Sequence, residues 1–249
     1  MSGEFDDVVA FTFDVDWAPE HILEDLFGLL EGLGAPFTMF ATHDSPMVKK
    51  LAALPGCETA LHPNLQDAED EAGALAALRG SFPGARGVRV HRLYYHSGLL
   101  ALFRAEGMDY LSNDLMYMRR GLEPHYDWSG LVRLPIFWED DVHAAVGGGN
   151  FAIGGLEVEG MRIFNFHPVH LYLNTSDFRQ YDRCKAQLSD PDRARGLRND
   201  GPGCRGLFEA LVGAAEGQRR MGLGQICDAF VELRPRPPWY DRFAKGRGE

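Results

Sequence analysis

The feature that most constrains the fold is an alternation: short β-branched and aromatic runs are separated by helically spaced apolar residues through the first two thirds of the chain. Val8 to Phe13 (VVAFTF) reads as a buried strand. Ile22, Leu23, Leu26, Phe27, Leu29, Leu30 and Leu33 follow at helical spacing over Pro19 to Leu33, with Gly34 where a C-terminal cap is wanted. Pro36 to Thr42 predicts a second strand, and Asp44 or Ser45 caps a helix from Pro46 to about Leu54. Further strands are predicted at Cys57 to Leu61, Gly87 to Val90, Tyr110 to Ser112, Leu131 to Phe137 and Met161 to Phe166. Asp67 to Arg79 and Ser97 to Glu106 read as the intervening helices. Strands alternating with helices predict βαβ units and a parallel sheet, here curled into a barrel. The 249 residues, 45% hydrophobic, suffice for one large domain. Its barrel core is expected at about 8–175. Thr175 to Gly203 is then a polar surface excursion, Leu207 to Val231 is helical, and Arg234 to Glu249 is a tail.

Charge and cysteine usage narrow the class. A net charge of -11 disfavours nucleic acid and anionic membrane as partners, since both would be repelled. No stretch approaches the roughly 18 consecutive apolar residues of a membrane span. The four cysteines, Cys57, Cys184, Cys204 and Cys227, are widely spaced and suit reduced thiols. The acidic start, Met1 to Asp7, lacks the features of a signal peptide, so a cytoplasmic location is expected. Nothing in the sequence reports the oligomeric state.

In parallel α/β folds the reactive groups gather at the C-terminal ends of strands. Here those ends carry Asp14 and Asp16, then Thr42 and His43, His62 and Asn64, Arg89 with His91 and His96, Glu139 to Asp141, and His167 with His170. Singly, each has a plain reading: an Asp pair is often a turn or a cap, and a lone histidine is usually structural. Together they point to one site. Imidazoles and carboxylates suit Zn²⁺ or a related divalent ion, held by about three protein ligands with a position left open. A water in that position becomes a nucleophile, a second carboxylate can take its proton, and a histidine opposite can protonate the leaving nitrogen.

These residues resemble the polysaccharide deacetylases of the NodB-homology group (carbohydrate esterase family 4), and the chain is similar to that family's WbmS-type subgroup. The strings FTFDVDWAPE, ALHPN, PIFWEDD and FHPVHLYLN carry the likeness over about residues 8–175. The resemblance implies an α/β fold, a distorted (β/α) barrel of the NodB-homology type, here with a C-terminal helical extension. It implies that Asp14 is the general base and Asp16 a metal ligand, with His62 a second ligand. Arg89 would orient Asp14, Trp138 matches the tryptophan of the fourth motif, and His167 would be the general acid. The implied activity is removal of an N-acyl group from a sugar or sugar precursor in surface-polysaccharide (lipopolysaccharide) biosynthesis, with Zn²⁺ as the expected cofactor.

The chain departs from the family pattern twice. Val15 separates two aspartates that are usually adjacent; residues two apart in a strand share a side, so the carboxylates converge if the strand persists. The second motif's further histidine is replaced by Gln66, which makes His91 the first substitute ligand, ahead of His96 and His170. Trp17, Asn64, Trp138 and His170 are the expected substrate contacts. Two alternatives stand beside deacetylation: hydrolysis of a cyclic, non-carbohydrate C–N bond, as in relatives of this fold, and a non-catalytic carbohydrate-binding role.

Overall fold

A computed structural model describes residues 3–154, 157–236 and 238. The chain runs β1 (Val8–Asp14), α1 (Glu20–Glu31), β2 (Phe37–Ala41), α2 (Pro46–Ala52), β3 (Cys57–Leu61), α3 (Glu71–Ser81), β4 (Gly87–Val88), α4 (Ser97–Ala105) and β5 (Tyr110–Leu111). It continues with β6 (His125–Tyr126), β7 (Val132–Arg133), β8 (Trp138–Glu139), α5 (Asp140–Val146), β9 (Arg162–Phe166), α6 (Pro168–Leu173), α7 (Phe178–Cys184) and α8 (Pro191–Arg195). It ends with α9 (Cys204–Ala214), β10 (Arg219–Arg220) and α10 (Leu223–Leu233). Local chemistry starts several helices: Ser45 caps α2 through Val48 N–H, Asp70 caps α3 and Asp177 caps α7.

The strands form one curled sheet in the order β6-β7-β5-β4-β3-β2-β1-β9-β8, with β10 beside β1. Its pairings are parallel apart from β6 with β7. The α/β class and the distorted barrel expected from the sequence are therefore present. The single strand expected over Leu131 to Phe137 is not. Pro135 has no N–H to give a ladder, and the run divides into β7 at one side of the sheet and β8 at the other. Its middle crosses the gap: Leu134 donates to Leu111 O (3.0 Å), Ile136 to Asp114 O (2.8 Å) and Phe137 to Ile163 O (2.9 Å).

Strand alternation divides the core into two layers. Val8, Ala10, Phe40, Ala60, Tyr110, Val132, Leu134 and Ile163 fill the barrel interior. Val9, Phe11, Phe13, Phe164 and Phe166 face the helices, where Phe208 of α9 lies edge-on to Phe11, Phe13 and Phe166. The C-terminal helical extension closes the end where the strands begin. Leu223, Ile226, Cys227 and Phe230 of α10 join the interior cluster, and the first N–H groups of α10 donate to Thr38 Oγ1 and Glu58 Oε2.

The later segments differ from their expected form. The polar stretch Thr175 to Gly203 contains α7 and α8 and buries Cys184, Leu188 and Ala194, so it packs as part of the domain. Leu207 to Val231 is broken between α9 and α10 by a turn at Gly217 (φ +85°) and by β10. Most of the expected tail lies outside the described residues. All four cysteines are free, and no helix among the described residues is long and apolar enough to cross a membrane.

Candidate active site

The site is built where β1, β3, β4, β8 and β9 end. Alternation along β1 turns Thr12 and Asp14 inward, and Val15 then buries its side chain in the outer layer while its N–H reaches Phe40 O at 3.2 Å. Asp16 follows with φ +45°, a left-handed conformation that aspartate adopts more readily than most residues. The strand ends at Asp14, so a turn, rather than strand periodicity, brings the two carboxylates together.

Asp14 is held by a buried polar network. Arg89, fully buried, donates to Asp14 Oδ1 (2.8 Å), Thr12 Oγ1 (3.0 Å) and Asn165 Oδ1 (2.5 Å) through Nη1. Its Nε and Nη2 reach Ser112 O and Ser112 Oγ, both at 2.9 Å, and its guanidinium lies 4.1 Å from the centre of the Phe40 ring. A buried charge persists only when paired and hydrogen-bonded in this way. Asn165 donates to Asp14 Oδ2 (2.9 Å) and Glu139 Oε2 (3.1 Å), which fixes the second oxygen. Burial opposes ionisation of Asp14, but Arg89, His62 and His167 outweigh it and hold the carboxyl below its usual range.

The candidate metal centre lies beside it. His62 Nδ1 donates to Arg89 O at 2.8 Å, which fixes the tautomer and leaves the Nε2 lone pair facing the aspartates. His62 Nε2 is 3.3 Å from Asp16 Oδ1, and His91 Nδ1 is 3.1 Å from the same oxygen. Ligands about 2.1 Å from one ion stand about 3.0–3.4 Å apart at ordinary coordination angles, so this donor set fits a divalent cation. Burial opposes ionisation of Asp16, yet the neighbouring imidazoles of His62, His91 and His167 keep it well below the usual carboxylate range. A second group, Asp140, His167 and His170, also has its donor atoms close together, but it is more buried.

His167 faces both aspartates, with Nε2 4.0 Å from Asp14 Oδ2 and from Asp16 Oδ2. Asp140 holds it from behind: Oδ1 lies 2.7 Å from Nδ1, and Oδ2 accepts the His167 N–H at 2.7 Å. Burial disfavours the imidazolium, but the Asp140 carboxylate more than offsets this and raises His167 well above the usual imidazole range. The resulting cleft, about 90 Å³, is lined by Asp14, Asp16, His62, His91, Arg92, Leu93, Glu139, Asp141 and His167. A larger cavity of about 640 Å³ lies at the opposite end of the barrel, away from these groups. Its charged side chains already have partners: Arg86 pairs with Asp109 and Asp228, and Glu58 accepts from Thr38, Tyr110 and Gly224.

Of the residues singled out in the sequence, Asp14, Asp16, His62, His91 and His167 come together on the cleft, with Arg89 directly behind Asp14. Trp17 stands at the rim, 54% exposed, with its ring 4.9 Å from that of His91. Three expected substrate contacts lie elsewhere. Asn64 donates to Asp67 (2.9 Å), and Trp138 is fully buried against Phe164, Phe166 and His143. His170 is buried beside Tyr181 and hydrogen-bonded to Thr175. His96 pairs with Glu71 at 2.9 Å, outside the cleft. Thr12, Ser112 and Asn165, unremarked in the sequence, supply much of the network. Asn165 carried a readable signal, since a polar residue between Phe164 and Phe166 in a strand must face away from the apolar layer.

Glu139 has a measurable consequence for stability. Burial and the neighbouring Asp141 charge push its carboxyl up to about 8. In metal-free protein the folded state keeps a proton that the unfolded chain loses near 4.5, so stability falls as pH rises from there to about 8. Glu139→Gln cannot ionise and still accepts from Asn165. Urea denaturation in a chelator should find it level with the parent near pH 4 and more stable at pH 8. A gap that stays constant with pH would contradict the assignment.

A parallel half-open barrel with a histidine- and carboxylate-lined cleft at its C-terminal face is an architecture with known counterparts. The profile of a family described as WbmS-like polysaccharide deacetylase matches residues 11–185. The chain belongs to this family of polysaccharide deacetylases. It is 30% identical to the structure of WbmS from Bordetella bronchiseptica, described as a candidate polysaccharide deacetylase involved in O-antigen biosynthesis. That match covers 85% of this chain and 92% of the other, with a TM-score of 0.79. A candidate polysaccharide deacetylase from Mycobacterium smegmatis shares the fold at 19% identity and a TM-score of 0.60, covering 95% of each chain. A 4-alpha-glucanotransferase from Thermococcus litoralis shares it at 14% identity and a TM-score of 0.55, covering 90% of this chain and 38% of that one. No curated protein matches.

Proposed function

We propose that the protein is a divalent-metal-dependent deacetylase that removes an N-acyl group from a sugar or sugar precursor in surface-polysaccharide metabolism. The observation that carries this reading is the convergence of Asp16, His62 and His91 beside an Asp14 held by Arg89 and a His167 held by Asp140. Asp16 Oδ1, His62 Nε2 and His91 Nδ1 would hold the ion, Zn²⁺ being the cation that best suits such a donor set. Bound there, it would supply Lewis acidity to the scissile carbonyl and to the attacking water.

The chain's own residues divide the proton work. Asp14, kept ionised by Arg89 and Asn165, accepts a proton from the attacking water. His167, kept protonated by Asp140, delivers a proton from Nε2 to the leaving nitrogen, which departs as an amine. Exposed Trp17 offers a flat face at the rim on which a sugar ring can stack. The involvement of WbmS in O-antigen biosynthesis supports the substrate class. The four free thiols support a reducing, cytoplasmic setting, and hence a precursor rather than a mature polymer.

Acetate release from a panel of N-acetyl sugars and sugar phosphates, with zinc restored after chelation, tests the reading. Zinc-dependent release from a sugar is the expected result. Release confined to cyclic amides, or none without loss of fold, would overturn it.

A further inference from the structure

We propose that Arg92 binds an anionic group of the substrate, and that the N-acyl sugar taken by this cleft carries a phosphate on the carbon next to its acylamino group. The sugar half of this statement rests on the deacetylase reading; the anion half does not.

Three observations lead to Arg92. First, it is the lining residue with a permanent positive charge, in a cleft that also presents the carboxylates of Asp14, Asp16 and Asp141. In a chain of net charge -11, an anionic substrate would be repelled without such a local cation. Second, its exposed guanidinium has no hydrogen bond or ion pair with any described residue, although carboxylates line the same cleft. Arg89, behind the cleft wall, is by contrast fully buried and fully bonded.

Third, the backbone at this point is held in a conformation unfavourable for residues with a Cβ. Arg92 has φ +58° and ψ +20°, and Leu93 follows at φ +52°. The segment is pinned on both sides: Val90 N–H donates to Asn113 Oδ1 (2.8 Å), His91 N–H to Pro63 O (3.1 Å) and Leu93 N–H to Val90 O (2.8 Å). Strain that the surroundings over-determine gathers at ligand clamps and active sites. Here it sets Arg92 directly after His91, on the same wall of the cleft.

Phosphate is the anion that suits this position. A guanidinium fork matches phosphate oxygens in paired hydrogen bonds. In a sugar activated at its anomeric carbon, phosphate and a 2-acylamino group stand on neighbouring ring carbons, and Arg92 lines the same cleft as Asp14 and His167. A nucleoside diphosphate and a polyprenyl diphosphate share this chemistry.

The test is calorimetric binding to zinc-loaded Asp14→Asn protein, a background chosen to suppress turnover. N-acetylglucosamine 1-phosphate should bind at least about tenfold tighter than N-acetylglucosamine. Arg92→Ala should bring the two to parity while leaving the free sugar unchanged, and Arg92→Lys should keep part of the preference. Equal affinities in the parent, a phosphate preference that survives Arg92→Ala, or an equal loss for both ligands would each overturn the proposal. UDP-N-acetylglucosamine and a short polyprenyl-diphosphate sugar, titrated in parallel, assign the source by whichever binds tighter than the monophosphate. Acetate release by the unsubstituted protein is measured on the same ligands. No release alongside an intact Arg92-dependent preference would remove the deacetylase reading and leave the anion site standing.

Discussion

Asp14→Asn should lower kcat for amide hydrolysis by about 10²–10⁴-fold while leaving KM and bound zinc nearly unchanged. The substitution removes the carboxylate that takes the proton but leaves Asp16, His62 and His91 untouched. It also carries a local cost. Arg89 donates to one oxygen of Asp14 and Asn165 to the other, so an asparagine must turn its NH₂ toward a donor in either orientation. Far-ultraviolet circular dichroism and zinc content therefore belong with the kinetics. A folded, zinc-replete Asp14→Asn protein with parental kcat would show that another group is the base.

The second large effect is expected at Arg89. Arg89→Leu leaves the Asp14 carboxylate buried without its counter-charge and withdraws donors from Thr12, Ser112 and Asn165. Breaking a buried pair from one side costs about 3–5 kcal/mol, which for a chain of this size is a fall in Tm of roughly 6–20 °C. Adding Asp14→Asn should recover part of the loss, because the orphaned charge goes with it. Arg89→Lys should not rescue activity, since one ammonium cannot reach Ser112 and Asp14 in the same fork. Thermal melts of the two single variants and the double variant check this. Additive losses in the double variant would mean that Arg89 and Asp14 do not act as a pair.

The parallel sheet was readable because period-two runs and helical apolar spacing are local signals, and β1 to β3 with their helices lie close to where those signals put them. Elements set by long-range closure were not. Leu131 to Phe137 looks like one strand, and only the barrel shows that Pro135 carries the chain from one side of the sheet to the other. In the site, the strand-end positions exposed Asp14, His62, Arg89 and His167. The convergence of Asp16 depended on a left-handed turn that the sequence suggests only weakly, through the tolerance of aspartate for positive φ. His91, the proposed substitute for the histidine absent at the exposed position Gln66, meets Asp16 because the turn after Arg89 points it there. Trp138 and Asn64 share motif strings with cleft residues, yet alternation sends Trp138 into the helix-facing layer and a local hydrogen bond holds Asn64 on Asp67. Neighbours in sequence at a strand end point in different directions, and only the pleat decides which of them meets the substrate.

The metal centre is tested most directly by an anomalous-scattering map recorded at the zinc edge from crystals grown with zinc. One strong peak is expected, bonded by Asp16 Oδ1, His62 Nε2 and His91 Nδ1, within reach of Asp14 and His167. A peak held instead by Asp140, His167 and His170, or no peak beside Asp16, would contradict it.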